Sequence, residues 1–113
     1  MVARGEVWFA DLGPKRGSAS AWRRPVLVVS ADAFNRCRIK TATVVAITSN
    51  LRLGAAPSNV ALAAGSAGLD RDSVINVSQV VTLGKRDLSK RLGILDGLKM
   101  EQVEAGLRLA LAL

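Results

Sequence analysis

Two short segments concentrate the groups able to handle a phosphodiester. Arg23-Arg24-Pro25-Val26-Leu27-Val28-Val29-Ser30 is an apolar run led by two guanidinium groups. About twenty residues later Ala46-Ile47-Thr48-Ser49-Asn50 ends another apolar run on two hydroxyls and an amide. If the two runs are antiparallel neighbouring strands, the arginines of one meet the Thr48-Ser49-Asn50 cluster of the other. A guanidinium offers bidentate, permanently charged donors, and hydroxyl and amide groups add neutral ones. That combination suits the phosphate oxygens on which negative charge develops during cleavage.

Other chemistries are excluded by what is missing. The chain has no histidine and a single cysteine, Cys37. Imidazole-based zinc sites, Ser-His-Asp triads and two-histidine ribonuclease chemistry are therefore impossible, as are an internal disulfide and a thiolate metal cage. No cofactor is expected. Charge points the same way as the motif: 16 Lys and Arg against 9 Asp and Glu give a net +7. Residues 1–40 carry net +5 of this, around Lys15, Arg16, Arg23, Arg24, Arg36, Arg38 and Lys40. A cluster of cations favours a face for polyanions over general solubility.

The elements that must position these groups follow from patterning. Glu6–Asp11 is rich in β-formers and predicts a first strand. Gly13, Pro14, Gly17, Ser18 and Ser20 predict a loop containing Lys15 and Arg16. Pro25–Ser30 predicts a second strand buried on both faces, opened by its proline. Ser30 is a candidate N-cap for a short helix over Ala31–Cys37. Thr43–Thr48 and Asn59–Ala63 predict further strands around a loop at Arg52–Ser58. Ala64–Gly68 is a break, Ser73–Val77 and Gln79–Leu83 are two more short strands, and Lys85–Arg91 is a turn or helical turn.

A C-terminal helix starts at Asp96 as N-cap, with Met100, Val103, Leu107 and Leu111 as its apolar stripe. Gly97 and Gly106 each weaken it by about 1 kcal/mol. The additional Leu109 and Leu113 suggest a dimer contact. Short strands, turn-rich connections and one terminal helix predict a mostly β protein, a small barrel with a C-terminal helix. At 113 residues the expectation is a single domain spanning 1–113. No signal peptide or membrane-length apolar run is visible, so the expected location is the cytoplasm, with no membrane partner.

The motifs in order carry a resemblance. Gly5-Glu6-Val7-Trp8, Asp11-Leu12-Gly13-Pro14, Gly17-Ser18, Arg23-Arg24-Pro25, Ile47-Thr48-Ser49-Asn50, Ala67 through Val74, Asn76-Val77-Ser78-Gln79 and Arg91-Leu92-Gly93 together resemble the MazF/PemK-like toxins of bacterial toxin–antitoxin systems. The match runs along essentially the whole chain. It implies an SH3-like barrel, usually a homodimer. It also implies a metal-independent endoribonuclease that cuts single-stranded RNA at a short sequence. The implied reaction is attack by the 2′-hydroxyl, leaving a 2′,3′-cyclic phosphate and a 5′-hydroxyl. The implied partner is a small acidic antitoxin whose disordered segment lies across the RNA groove.

Carried over residue by residue, the resemblance gives Arg24 the scissile phosphate and gives Thr48 a hydrogen bond to a phosphate oxygen. Because arginine stays protonated at ordinary pH, electrostatic stabilisation suits Arg24 better than proton transfer. Arg23, Ser49 and Asn50 are helpers, and Lys15, Arg16 and Ser18 lie on the loop that borders the RNA in relatives. Trp22 is a base-stacking candidate; Trp8, between Val7 and Phe9, is as well suited to the core. Asn76, Ser78 and Gln79 complete the RNA-binding set.

Ser78 departs from the family, in which several relatives carry an acidic residue. A serine cannot serve as a carboxylate base. Two other readings stay open on sequence alone: a toxin of the same fold resembling CcdB, which binds DNA gyrase and cuts nothing, and an RNA-binding module without catalysis.

Overall fold

A computed structural model describes residues 1–11 and 23–113. Its frame is one antiparallel sheet of six strands: β1 (Glu6–Asp11), β2 (Arg23–Val28), β3 (Thr41–Thr48), β4 (Val60–Leu62), β5 (Ser73–Gly84) and β6 (Leu88–Ile94), in the spatial order β4-β5-β3-β2-β1-β6. A short helix, α1 (Asp32–Asn35), links β2 to β3, and α2 (Gly97–Leu111) closes the chain. This is a curled half-barrel with a C-terminal helix.

The continuous apolar run of β2 is explained by its place in the middle of the sheet. Val26, Leu27 and Val28 are all fully buried, although successive side chains point to opposite faces. Leu27 joins Val7, Val45, Ile47, Ile75 and Val77 on one face, where Val103 of α2 covers them. Val26 and Val28 join Ala10, Ala42, Val44 and Leu88 on the other, with Trp8 and Leu83 packed against them. A sheet with two cores must bend. Its bulges, one in the β3–β5 pairing and two between β1 and β6, increase the twist that allows this.

Two glycines draw the sheet's ends together. The 3-10 turn Ser66–Gly68 that follows β4 lies directly against β6. A Cβ at Gly68 would overlap the Leu92 carbonyl, and one at Gly93 would overlap the Ala67 backbone. Gly68 also has φ +80°, which side-chain-bearing residues rarely adopt.

Several boundaries differ from expectation, for local reasons. β2 begins at Arg23, two residues before Pro25, because Arg23–Pro25 pair with β1 alone. The ladder to β3 starts at Val26, one residue past the proline that lacks an N–H. Ser30 does not cap α1: Ala31 stands at the N-cap, while Ser30 Oγ donates to Asn35 Oδ1 at 2.6 Å and accepts from the Thr43 N–H at 3.2 Å. The two strands expected at Ser73–Val77 and Gln79–Leu83 are one strand, β5, with a bulge around Ser78: Ala46 pairs with Asn76, and Val45 with Val80. The expected turn at Lys85–Arg91 is a turn only to Asp87. From Leu88 the chain is β6, an edge strand whose outward Lys90 and Arg91 suit that position.

Asp96 caps α2 as expected, accepting from the Lys99 N–H at 2.8 Å. Gly106 has a second role beyond lowering helix propensity. It sits against the Ser58 carbonyl, where a Cβ would not fit. Leu109, Leu111 and Leu113 are exposed, so Leu111 does not share in the stripe that buries Val103. Cys37 is exposed as well, its Sγ donating to the Phe34 carbonyl.

Candidate active site at the open end of strands β2 and β3

Past Pro25 the two strands separate, and the gap is a cleft of about 630 Å³. The register Val26↔Ala46, Leu27↔Val45, Val28↔Val44, continued two residues beyond the proline, sets Arg24 across from Thr48 and Arg23 across from Ser49. All four line the cleft. The proline is thus a local cause of the opening: it ends the ladder to β3, and the arginines before it stay paired with β1 but have no partner on the β3 side.

Thr48 Oγ1 accepts the Asn50 backbone N–H at 3.1 Å, which leaves its own proton available to a ligand. Asn50 has a different task, since its Oδ1 accepts the Arg52 N–H at 3.3 Å and so caps the 3-10 turn Leu51–Ala55. Asn50 is not among the cleft-lining residues.

The cations differ in their commitments. Arg23 lies 4.0 Å from Asp11 and its guanidinium sits over the Phe9 ring, 5.0 Å from the centroid. Arg24 has no carboxylate partner among the described residues and is exposed. Its guanidinium is therefore free of any competing carboxylate among the described residues. Exposed pairs such as Arg23–Asp11 are worth about 0–1 kcal/mol, so Arg23 can also exchange its carboxylate for a phosphate.

Asn76, Ser78 and Gln79 lie on β5 outside the cleft wall. Thr48 pairs with Val74 and Ala46 with Asn76, so Asn76 shares the face that carries Thr48 and Arg24, one row inward. Ser78 donates to Asn76 Oδ1 at 2.7 Å across the bulge. Trp8 is half-buried, its indole N–H donating to Glu6 Oε1 at 3.1 Å, so it belongs to the core with a polar tip. Lys15, Arg16, Ser18 and Trp22 lie outside the described residues.

The opposite wall was not placed by sequence reasoning. Asp70 and Arg71 line it, paired at 3.6 Å, with Ser73 and Leu92 beside them. Phe9 and Pro25 form apolar floor. The run Asp70-Arg71-Asp72 gave the only sequence signal, and its three charges have different roles. Asp72 turns away from the cleft, its Oδ1 accepting the Ala64 N–H at 2.8 Å.

The chain as a whole has counterparts among known proteins. The profile of the family described as PemK-like, MazF-like toxin of type II toxin–antitoxin system matches residues 3–111. This chain belongs to that family. Endoribonuclease MazF6 of Mycobacterium tuberculosis is 47% identical over 113 residues, covering 100% of this chain and 99% of the relative. Endoribonuclease EndoA of Bacillus subtilis is 41% identical, covering 100% and 97%. A solved endoribonuclease in complex with its cognate antitoxin, from a mycobacterial species, superposes with a TM-score of 0.83 at 29% identity, covering 100% of this chain and 97% of that one. The chain is an endoribonuclease toxin of the MazF type. That removes the reading of a gyrase-binding toxin and that of a non-catalytic module.

Proposed function

We propose that this toxin cuts single-stranded RNA at a short sequence without a metal ion, and that Arg24 and Thr48 carry the reaction. The opposition of an uncommitted guanidinium and an outward hydroxyl across an open strand end supports this reading above all. RNA supplies its own nucleophile. The 2′-oxygen attacks phosphorus, the P–O5′ bond breaks, and the products are a 2′,3′-cyclic phosphate and a 5′-hydroxyl. The 2′-hydroxyl proton leaves to water and the departing 5′-oxygen takes one back.

The protein's part is to align the sugar and stabilise charge. Arg24 grips two phosphate oxygens at once, and Thr48 donates to one of them. Alignment and oxyanion stabilisation are each worth several kcal/mol, and neither requires a carboxylate base at position 78. Ser49 and Arg23 border the same phosphate path. Lys15, Arg16, Ser18 and Trp22, with Asn50, Asn76, Ser78 and Gln79, are proposed as contacts to flanking nucleotides.

A small acidic antitoxin is the proposed inhibitor, as the solved complex of a relative suggests, and the net charge of +7 favours it. The working unit is a homodimer in the cytoplasm. No helix among the described residues is long and apolar enough to cross a membrane.

The test is the chemistry of the ends. RNA cut in EDTA should yield fragments whose 5′ ends accept phosphate from polynucleotide kinase without prior phosphatase treatment. Their 3′ ends should resist periodate until the cyclic phosphate is opened and removed. Fragments with 5′-phosphates, or cleavage that needs added magnesium, would refute the mechanism.

A further inference from the structure

The N-terminal concentration of positive charge is one cluster in sequence, and its described members Arg23, Arg24, Arg36, Arg38 and Lys40 form two in space. Arg23 and Arg24 stand by the Thr48 end of β3, whereas Arg36, Arg38 and Lys40 precede its Thr41 end. Seven steps of about 3.3 Å along the strand separate the two ends by about 23 Å. At the far end a second groove, about 520 Å³, is lined by Arg38, Lys40, Lys85 and Arg86, with no carboxylate in its wall.

This patch is built rather than incidental. Lys85 holds it from within: its backbone N–H donates to the Lys40 carbonyl at 2.7 Å, and its ammonium donates to the carbonyls of Asn35 at 2.6 Å and Cys37 at 3.3 Å. Asn35 is itself buried and tied to Ser30 and Asp32. With Lys85 thus committed, Arg36, Arg38, Lys40 and Arg86 point into solvent. None of them forms an ion pair among the described residues, although four other arginines do.

Two carboxylates are nearby. Asp32 already accepts the Arg4 N–H at 2.7 Å and the Asn35 amide, and half-buried Asp87 shares a turn with Arg86. Ile39 lines the groove and is exposed, and Phe34, on the short helix that leads into Arg36–Lys40, is exposed too. Unpaired cations on a fixed frame with an accessible aromatic suit a single-stranded polyanion, which needs charge for its backbone and a flat face for its bases.

We infer that this groove is a second RNA-binding site, which grips the phosphate backbone of a substrate several nucleotides away from the bond cut at Arg24 and Thr48. The inference rests on the RNA-cleaving reading. Its consequence is that long RNA is preferred over short RNA for reasons unrelated to the cleavage sequence.

The experiment compares kcat/KM on a long RNA and on a short oligoribonucleotide that carries the same cut sequence and little else. It uses the antitoxin-free full chain and an Arg38→Ser/Lys40→Ser/Arg86→Ser variant. All three residues are exposed, and a thermal melt checks that the variant folds. The wild type should favour the long RNA by tenfold or more at low salt, and the variant should lose most of that preference while cutting the short RNA as before. Its log–log salt dependence on long RNA should flatten by about 2, as three lost phosphate contacts on a single strand require. An unchanged long-to-short ratio, or an equal loss on both RNAs, overturns the inference. If the wild type cuts neither RNA, the cleavage reading fails by itself. The groove is then judged by anisotropy with labelled long RNA, where equal affinity of wild type and triple variant overturns it. Were the triple variant unfolded, the single Arg86→Ser variant, on a surface turn, is read by the same ratio.

Discussion

At the scale of single residues, the proposed reaction depends on two side chains at one strand end. Arg24 is exposed and has no ion pair among the described residues, so Arg24→Ala should leave the melting temperature nearly unchanged. It should lower cleavage by about 10²–10³, the usual cost of one preorganised oxyanion donor. Arg24→Lys keeps the charge but not the bidentate fork and should fall between. Thr48 holds the Asn50 N–H as well as facing the cleft, so Thr48→Val should lose activity and some order at the turn, while Thr48→Ser restores both. That these two strand ends meet was legible in the sequence, because each apolar run carries its polar residues at one end. The placing of Asp70 and Arg71 was not. They reach the cleft only because the turn before them is pressed against β6, a long-range contact that no local pattern announces.

At the scale of elements, the sheet was legible where burial dictated the residue types and obscure where a single irregularity intervened. The apolar centres of β1, β2 and β3 and the capped start of α2 follow from patterning. Ser78 made β5 look like two strands because a bulge interrupts alternation without ending the strand. β6 looked like a turn because an edge strand carries charges. Gly68 lies in a stretch that reads as a break, yet it and Gly93 stand where two backbones approach closely. Gly68→Ala and Gly93→Ala should therefore each destabilise the fold by about 1–3 kcal/mol, seen as a lower urea midpoint. Gly106→Ala provides a sharper comparison. Helix propensity alone predicts a gain of about 1 kcal/mol, whereas the Ser58 carbonyl against that position predicts a net loss. A stabilised variant would show that α2 and the Ser58 loop are free to move apart.

At the scale of the molecule, the proposed division of work is between the two ends of the sheet, with the reaction in the cleft at one and RNA backbone in the cationic groove at the other. The termini are tied in by a small polar network. Arg4 donates to the Val29 carbonyl and pairs with Glu104 of α2 at 2.8 Å. Glu6 is nearly buried beneath Arg91 of β6. Burial pushes the Glu6 carboxyl up, but the Arg91 guanidinium at 2.7 Å, the Ala3 N–H and the Trp8 indole N–H outweigh it and hold the group below its ordinary 4.5. A carboxyl depressed in the folded state contributes stability above its unfolded pKa and loses it as pH falls through the folded one. Arg91→Ala should thus be less stable than wild type near neutrality, and the gap should narrow on acidification below about 4.5. A gap independent of pH would show that Arg91 acts by packing alone.

Cleavage of bare RNA is proposed to occur at the Arg24–Thr48 end of this sheet. The most direct test incubates the purified chain and its Arg24→Ala variant with one long synthetic RNA in EDTA and maps every new end. Discrete cuts with 5′-hydroxyl ends from the wild type, and almost none from the folded variant, are expected. Intact RNA with the folded wild type, or cuts of equal rate from both proteins, would contradict the account.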